Sequence, residues 1–297
     1  MKKVKKAVIT AAGFGSRFLP VVKATPKEML PIINKPILQY VVEECLDAGI
    51  EEIIIVVREG NEVIRNYFYE KVPQMEKLLV DQGKPERFSE VRNILNLNNL
   101  TIINQRADLP YGNGSPVISA QHLLNEGEHF AVLFADDLVL TKERSALSQL
   151  ADYFHGSDCD AVMGVQKVKY EELDRYGIVD PVEGSVKETE GQIKRIIEKP
   201  KPEDAKTNYA QYGRFILPYS IFDYLQEDAT GKDGEVWLTD ANDKLAAENK
   251  FMYKEIEGTW YTTGDPARYF EALTHFMLAS KEFSKSTTDL LSSLQAV

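Results

Sequence analysis

Short apolar runs alternate with amphipathic stretches through the first half of the chain. The first run, Ala7-Val8-Ile9-Thr10-Ala11-Ala12, leads straight into glycines and reads as a buried strand feeding a loop. Ile37, Leu38, Val41, Val42, Cys45 and Leu46 then recur at helical spacing and stop at Gly49, a common helix terminator. Residues 52–57 supply a second strand without polar alternation, so the chain opens with a strand, loop, helix and strand whose two strands are expected to run parallel. Residues 73–97 are charged and helical in character and interrupt the alternation, as an insertion over the sheet would. Strands resume at 101–104 and 130–134, and the second of these ends abruptly in Asp136-Asp137.

Beyond that pair the pattern changes. Residues 161–168, 177–180, 193–198 and 214–217 read as further strands with hairpin-like connections at Pro181, Gly184 and Gly191, which predicts a mixed, mostly parallel sheet. Helical spacing returns at 238–247 and 267–283, ahead of a Ser/Thr-containing tail. The expected fold class is α/β, a three-layer α/β/α domain over residues 1–265 with a C-terminal helical appendage over 266–297. Phe270, Leu273, Phe276, Met277 and Phe283 give that appendage apolar positions that suit either a homo-oligomer contact or folding back onto its own domain.

Composition narrows the chemistry. With 297 residues, 43% of them apolar, the chain can bury a sizeable core, and whole-chain disorder is excluded. Its 35 basic and 46 acidic residues give a net charge of −11, which opposes binding to a nucleic-acid backbone, so any anion must be held locally. The basic start, Met1-Lys2-Lys3-Val4-Lys5-Lys6, is followed by an apolar run too short for a signal-peptide core or a membrane span, and a cytoplasmic protein without a membrane partner is expected. Cys45 and Cys159 lie far apart and the four histidines show no ligand spacing, so neither a disulfide framework nor a zinc site is indicated.

Three segments carry candidate chemistry. In Ala11-Ala12-Gly13-Phe14-Gly15-Ser16-Arg17 the glycines let backbone N–H groups approach a phosphate, and Arg17 and Lys27, the latter inside Pro26-Lys27-Glu28-Met29-Leu30-Pro31, add charge where a triphosphate would lie. Phe18 stands where a dinucleotide fingerprint would have its third glycine, and no P-loop pattern is present. A plain structural turn competes for the glycines alone, but not for the glycines together with Arg17 and Lys27. Asp136-Asp137, at a strand end, is suited to holding Mg²⁺ against phosphate oxygens, with a cap or turn as the competing reading. If its strand is parallel to the first, both segments open on the ligand-binding edge of the sheet. Glu198-Lys199 ends another strand, where Lys199 suits a phosphate and Glu198 a sugar hydroxyl; a solvated loop is the alternative.

Together these segments resemble the sugar nucleotidyltransferases, and among them the bacterial enzymes that act on UTP and glucose 1-phosphate. The stretches INKPILQYVVEE, Arg175-Tyr176-Gly177-Ile178-Val179-Asp180, IEKPK, Tyr212-Gly213-Arg214-Phe215 and Gly234-Glu235-Val236-Trp237-Leu238-Thr239-Asp240-Ala241 extend the likeness, in order, from residue 5 to about residue 275. The resemblance implies a Rossmann-like nucleotidyltransferase fold and transfer of a uridylyl group from UTP to a hexose 1-phosphate with release of pyrophosphate. It implies a nucleotide site at Ala11, Ala12, Gly13, Gly15, Glu28 and Gly112, with Arg17, Lys27 and Lys199 catalytic. Asp136 would hold Mg²⁺, and Asp137, Gly177, Glu198 and Lys199 would hold the sugar phosphate. A homo-oligomer is implied as well.

Three positions depart from the family pattern. An ungapped count puts Ala107 where the family has a base-reading Gln, with Gln105 two residues earlier as the substitute, so relaxed discrimination between UTP and dTTP is expected. Gly112-Asn113-Gly114-Ser115-Pro116 replaces the family's Gly-Leu-Gly-His-Ala, and Thr262 replaces an Asp that often makes a second metal contact. The same chemistry with another base or sugar, and a non-catalytic regulatory paralogue that binds nucleotide sugars, are the alternatives these departures leave open.

Overall fold

The computed structural model describes residues 3–226, 231 and 234–295. Nine strands form one sheet in the order Leu100–Asn104, Glu52–Val57, Lys6–Ala11, His129–Phe134, Tyr209–Pro218, Ala161–Lys167, Phe251–Glu255, Glu190–Glu198, Gly177–Pro181. The first four are mutually parallel, with Lys6 opposite both Glu52 and Phe130. Tyr209–Pro218 and Glu190–Glu198 run antiparallel to their neighbours, whereas Phe251–Glu255 and Ala161–Lys167 pair in parallel. The sheet is therefore mixed, as the change of pattern after Asp137 predicts.

The parallel strands Lys6–Ala11, Glu52–Val57 and His129–Phe134 are buried almost throughout, with successive side chains on opposite faces, because both faces are covered. Ala7, Ile9, Ile53, Ile55 and Leu133 pack under the helices Ile37–Asp47 and Ala146–Gly156, while Val8, Ile54, Val56 and Val132 pack against Ser115–Ala120 and Leu238–Glu248. This is the three-layer α/β/α arrangement. The insertion expected at 73–97 is the helices Pro73–Asp81 and Ser89–Leu95 with a turn between them.

At both sheet margins some of the edge backbone groups are engaged. At one edge Arg65 donates to the Ile102 carbonyl at 2.8 Å and Tyr69 to that of Leu100 at 3.0 Å. At the other, Ala210 pairs across to Ile178 and the Thr207 hydroxyl donates to the Val179 carbonyl.

Several elements differ from the sequence expectation. Gly191 lies inside Glu190–Glu198, where its bare Cα accommodates the Tyr253 ring, rather than in a connection. Asp137 opens a short strand, Asp137–Leu140, paired antiparallel with Thr259–Thr262 so that Asp137 faces Thr262. The C-terminal segment is two helices, Pro266–Ala279 and Ser284–Gln295, and the Ser/Thr tail is helical, with the Thr287, Thr288 and Ser293 hydroxyls donating to carbonyls of the preceding turn.

The appendage folds back onto the domain. Leu273 and Phe276 pack against the core, Ala272 is buried, Phe276 meets Tyr40 edge-on at 5.3 Å, and Tyr269 donates to the Pro31 carbonyl at 2.6 Å. Of the five apolar positions singled out, Leu273 and Phe276 are thus occupied within the chain, while Phe270 is 67% exposed.

Candidate functional site

A cleft with two lobes opens at the carboxyl ends of the parallel strands, where open α/β sheets bind ligands. The lobe of about 260 Å³ is lined by Ala12, Gly13, Lys27, Glu28, Gln105 and Gly112 among others, and the lobe of about 500 Å³ by Arg17, Asp137, Gly177, Glu198, Lys199 and residues discussed below. Asp136, Phe134, Asn113 and Trp237 line both, so the lobes share a wall. Of the residues expected from sequence, Ala11 is buried in its strand, and Gly15 lines neither lobe. Ala107 stands exposed in a turn outside the cleft, whereas Gln105 lines the smaller lobe.

The glycine loop and Lys27 form a unit. Gly15 has φ +64°, a left-handed conformation that glycine adopts without penalty, and a Cβ there would press on Val22 and on the Lys27 stem at 3.2–3.4 Å. Lys27 thereby reaches across to donate to Asp136 Oδ2 at 2.5 Å, with Glu28 Oε1 at 4.0 Å. Burial alone would strip the Lys27 proton, but the Asp136 and Glu28 carboxylates outweigh it and hold the ammonium charged. In return Lys27 overcomes the burial of Asp136 and keeps it ionised. Glu28 is 2% exposed, and burial lifts its carboxyl to about 7 against the pull of Lys27.

Asp137 is differently placed. Its carboxylate accepts from the Gly213 N–H at 2.9 Å and from Trp260 Nε1 at 2.8 Å, so both oxygens are engaged by protein. Burial, with Asp136 next to it, raises its pKa. Beneath the pair lies Arg214, wholly buried, whose five N–H donors go to Glu44 twice (2.8 and 2.6 Å) and to the carbonyls of Phe134, Gly213 and Asp137. The turn that presents Asp136 is thus fixed from below by one guanidinium.

From above it is fixed just past the partner strand Thr259–Thr262: Thr263 donates its N–H and its hydroxyl to the Asp136 carbonyl at 2.7 and 2.9 Å. This brings Thr262 and Gly264 alongside Asp136 and Arg17 in the larger lobe. Among the described residues no group of three or more His, Cys, Asp or Glu is placed to hold a metal ion. One carboxylate oxygen set, that of Asp136, suits a hard cation that completes its shell with phosphate oxygens and water.

The larger lobe is shaped by the second half of the sheet. Lys199 adopts φ +48°, unusual for a residue with a side chain, and is held there by its N–H bond to the Tyr176 carbonyl at 3.0 Å. Its ammonium lies 4.7 Å over the Trp237 ring and 3.5 Å from Glu198, whose carboxyl is raised by burial. Trp237 reaches the shared wall because the loop 111–114 zips onto 236–238: Gly112, at φ +142°, has the Val236 backbone 2.2 Å from where a Cβ would stand, and Asn113 Oδ1 accepts the Leu238 N–H. The Gly-Asn-Gly-Ser-Pro departure is accommodated by this zipper.

Sequence reasoning passed over several lining residues. Arg268, assigned to the appendage, and Asp265, the last residue of the expected domain, line the larger lobe at the start of helix Pro266–Ala279, where Arg268 pairs with Glu172 at 2.8 Å and bonds the Tyr176 hydroxyl. The division at 265/266 therefore runs through the cleft. Tyr111, Trp237 and Trp260 were legible only as members of matching stretches or as aromatics, with no signal for where they point.

Comparisons with known proteins fit this geometry. The family described as nucleotidyl transferase matches residues 6–277. A UTP–glucose-1-phosphate uridylyltransferase of Bacillus subtilis (strain 168) is 40% identical over 282 residues, 95% of this chain and 94% of that protein. The structure of a UTP-bound UGPase from Acinetobacter baumannii superposes with a TM-score of 0.87 at 30% identity, over 98% of this chain and 99% of that one. A UDP-glucose pyrophosphorylase complexed with UDP-glucose gives a TM-score of 0.81 at 32% identity, over 93% of this chain and all of the other.

Proposed function

The chain belongs to the nucleotidyl transferase family, and from that premise we infer that it transfers the uridylyl group of UTP to glucose 1-phosphate, giving UDP-glucose and pyrophosphate. The observation that carries this reading is the pair of lobes that share Asp136, one lined by the glycine loop, Lys27 and Gln105 and the other by Gly177, Glu198 and Lys199. A phosphate oxygen of the sugar attacks the α-phosphorus of UTP in line, the bond to the bridging oxygen of pyrophosphate breaks, and no covalent enzyme intermediate forms. The chain supplies position and charge. The glycine loop cradles the triphosphate, Arg17 and Lys27 meet the charge that grows on the leaving pyrophosphate, and Lys199 with Gly177 and Glu198 holds the sugar phosphate.

Mg²⁺ fits as the accompanying ion. Asp136 would hold it, and it would neutralise phosphate charge. Asp136→Asn is expected to raise the Mg²⁺ concentration needed for half-maximal activity roughly tenfold or more, since an amide oxygen replaces a charged ligand of a hard cation; an unchanged Mg²⁺ dependence moves the ligand elsewhere. No helix among the described residues is long and apolar enough to cross a membrane; a cytoplasmic setting is proposed on the separate ground that the substrate UTP is a cytoplasmic metabolite.

Gln105 reads the base. A side-chain amide both donates to and accepts from the uracil edge, and cytosine presents the opposite pattern. Thymine shows the same edge as uracil, so this contact separates UTP from CTP and not from dTTP. Gln105→Ala should cut the UTP-over-CTP ratio of kcat/KM by about tenfold to a hundredfold, with Ala107→Gln leaving it unchanged. A ratio that moves only in Ala107→Gln would reverse the assignment.

A homo-oligomer is also proposed, through apolar surface the fold-back leaves uncovered at Phe270, Leu290 and Leu294. Light scattering at micromolar concentration is expected to give a multiple of the 33.6 kDa chain mass, and a monomer ends the idea.

The function itself is tested by detecting pyrophosphate while the protein is supplied with Mg²⁺ and a panel of triphosphates and sugar 1-phosphates. Release with UTP and glucose 1-phosphate is expected. Silence with every pair favours a regulatory, non-catalytic protein.

A further inference from the structure

We propose that Gln211 reads a hydroxyl of the sugar bound in the larger lobe and so helps decide which hexose 1-phosphate is accepted. The inference rests on the uridylyl-transfer reading above. Strand Tyr209–Pro218 slips register against Ala161–Lys167 between Gln211 and Phe215, next to the point where Ala210 also pairs with Ile178. Such irregularities bend a strand and re-aim a side chain. Here the side chain is carried across Gly177: a Cβ at that position would lie 2.2 Å from Gln211 Nε2, so only glycine at 177 leaves the amide its place.

The amide heads a polarised row. Nε2 donates to Thr239 Oγ1 at 2.8 Å, the Thr239 hydroxyl is near enough to Glu198 to favour its charged form, and Glu198 stands 3.5 Å from the Lys199 ammonium. Each group in such a row strengthens the next and fixes the direction of donation. The Gln211 carbonyl oxygen is left over. It is buried, and among the described residues no donor reaches it. A buried acceptor without a partner costs free energy that a ligand's O–H removes on binding. Gly177, Glu198, Lys199, Gln211 and Thr239 all line the larger lobe, so a sugar hydroxyl is the donor that the site is built to receive. A carboxylate or phosphate substituent, ionised near neutral pH, brings no proton to that oxygen, and the substrate class is therefore a neutral hexose 1-phosphate with a free hydroxyl on the side facing Gln211.

The test compares kcat/KM for glucose 1-phosphate and its 2-, 3-, 4- and 6-deoxy analogues, with UTP as co-substrate, in the protein and in Gln211→Met, a near-isosteric change. The unaltered protein should lose about tenfold to a hundredfold with one analogue, and Gln211→Met should show no such loss with that analogue while its KM for UTP stays within about twofold. Should the methionine variant not fold, Gln211→Asn, which withdraws the amide by one methylene, serves for the same comparison. Equal penalties in both proteins for all four analogues overturn the proposal. Absence of turnover with glucose 1-phosphate itself is a different result: it defeats the uridylyl-transfer reading and takes this inference with it.

Discussion

Replacing Lys27 by alanine is expected to lower kcat by roughly a hundredfold or more, about 3 kcal/mol of transition-state stabilisation, if, as proposed, its ammonium meets the negative charge that grows on the leaving group. The structure gives this expectation its basis. Lys27 is bound to Asp136 at 2.5 Å and kept protonated against its own burial, so it acts as a fixed positive charge and not as a proton donor. Without it Asp136, Asp137 and Glu28 share a buried corner whose other cations are Arg17 near Asp136, Arg214 beneath Asp137 and Arg58 near Glu28. Steady-state kinetics over a range of UTP and glucose 1-phosphate decides the matter, and a change confined to KM rejects the role.

The second large effect is on stability. Glu44→Ala should destabilise the fold by about 3–5 kcal/mol, the cost of leaving a buried guanidinium without its counter-charge. Arg214 has no solvent exposure and two of its donors end on Glu44, which also accepts the Leu147 N–H at 2.9 Å. Glu44→Gln, which keeps acceptor atoms but not charge, should fall between. Denaturant unfolding measures both. A loss below about 1 kcal/mol in Glu44→Ala would mean that the carbonyls of Phe134, Gly213 and Asp137 suffice to hold Arg214 in place.

What the sequence made legible follows from where the information is local. The glycine loop, Lys27 and Asp136 sit at the ends of strands whose apolar runs are unmistakable, and parallel pairing then puts them on one edge. Thr262 and Arg268 become neighbours of Asp136 and Tyr176 only through the pairing of Asp137–Leu140 with Thr259–Thr262, two short strands with no periodicity long enough to read. Gln211 was invisible for a related reason: its direction depends on a register slip, and a slip is a property of two strands together. The segment from Gln105 to Ala107 shows the opposite limit. Counting residues placed Ala107 in the site, but the chain turns away after Gln105, whose N–H still pairs with the Val57 carbonyl at the end of the sheet.

The partly engaged margins of the sheet bear on how this protein behaves in crowded solution. An open edge strand is a template on which another chain can crystallise its backbone, the first step toward fibrous aggregates. Here Arg65 and Tyr69 occupy carbonyls of Leu100–Asn104, and Thr207 with the Ala210 pairing does the same for Gly177–Pro181. With those groups engaged, the two margins offer an incoming strand less of the unpaired ladder along which backbones can stack without limit.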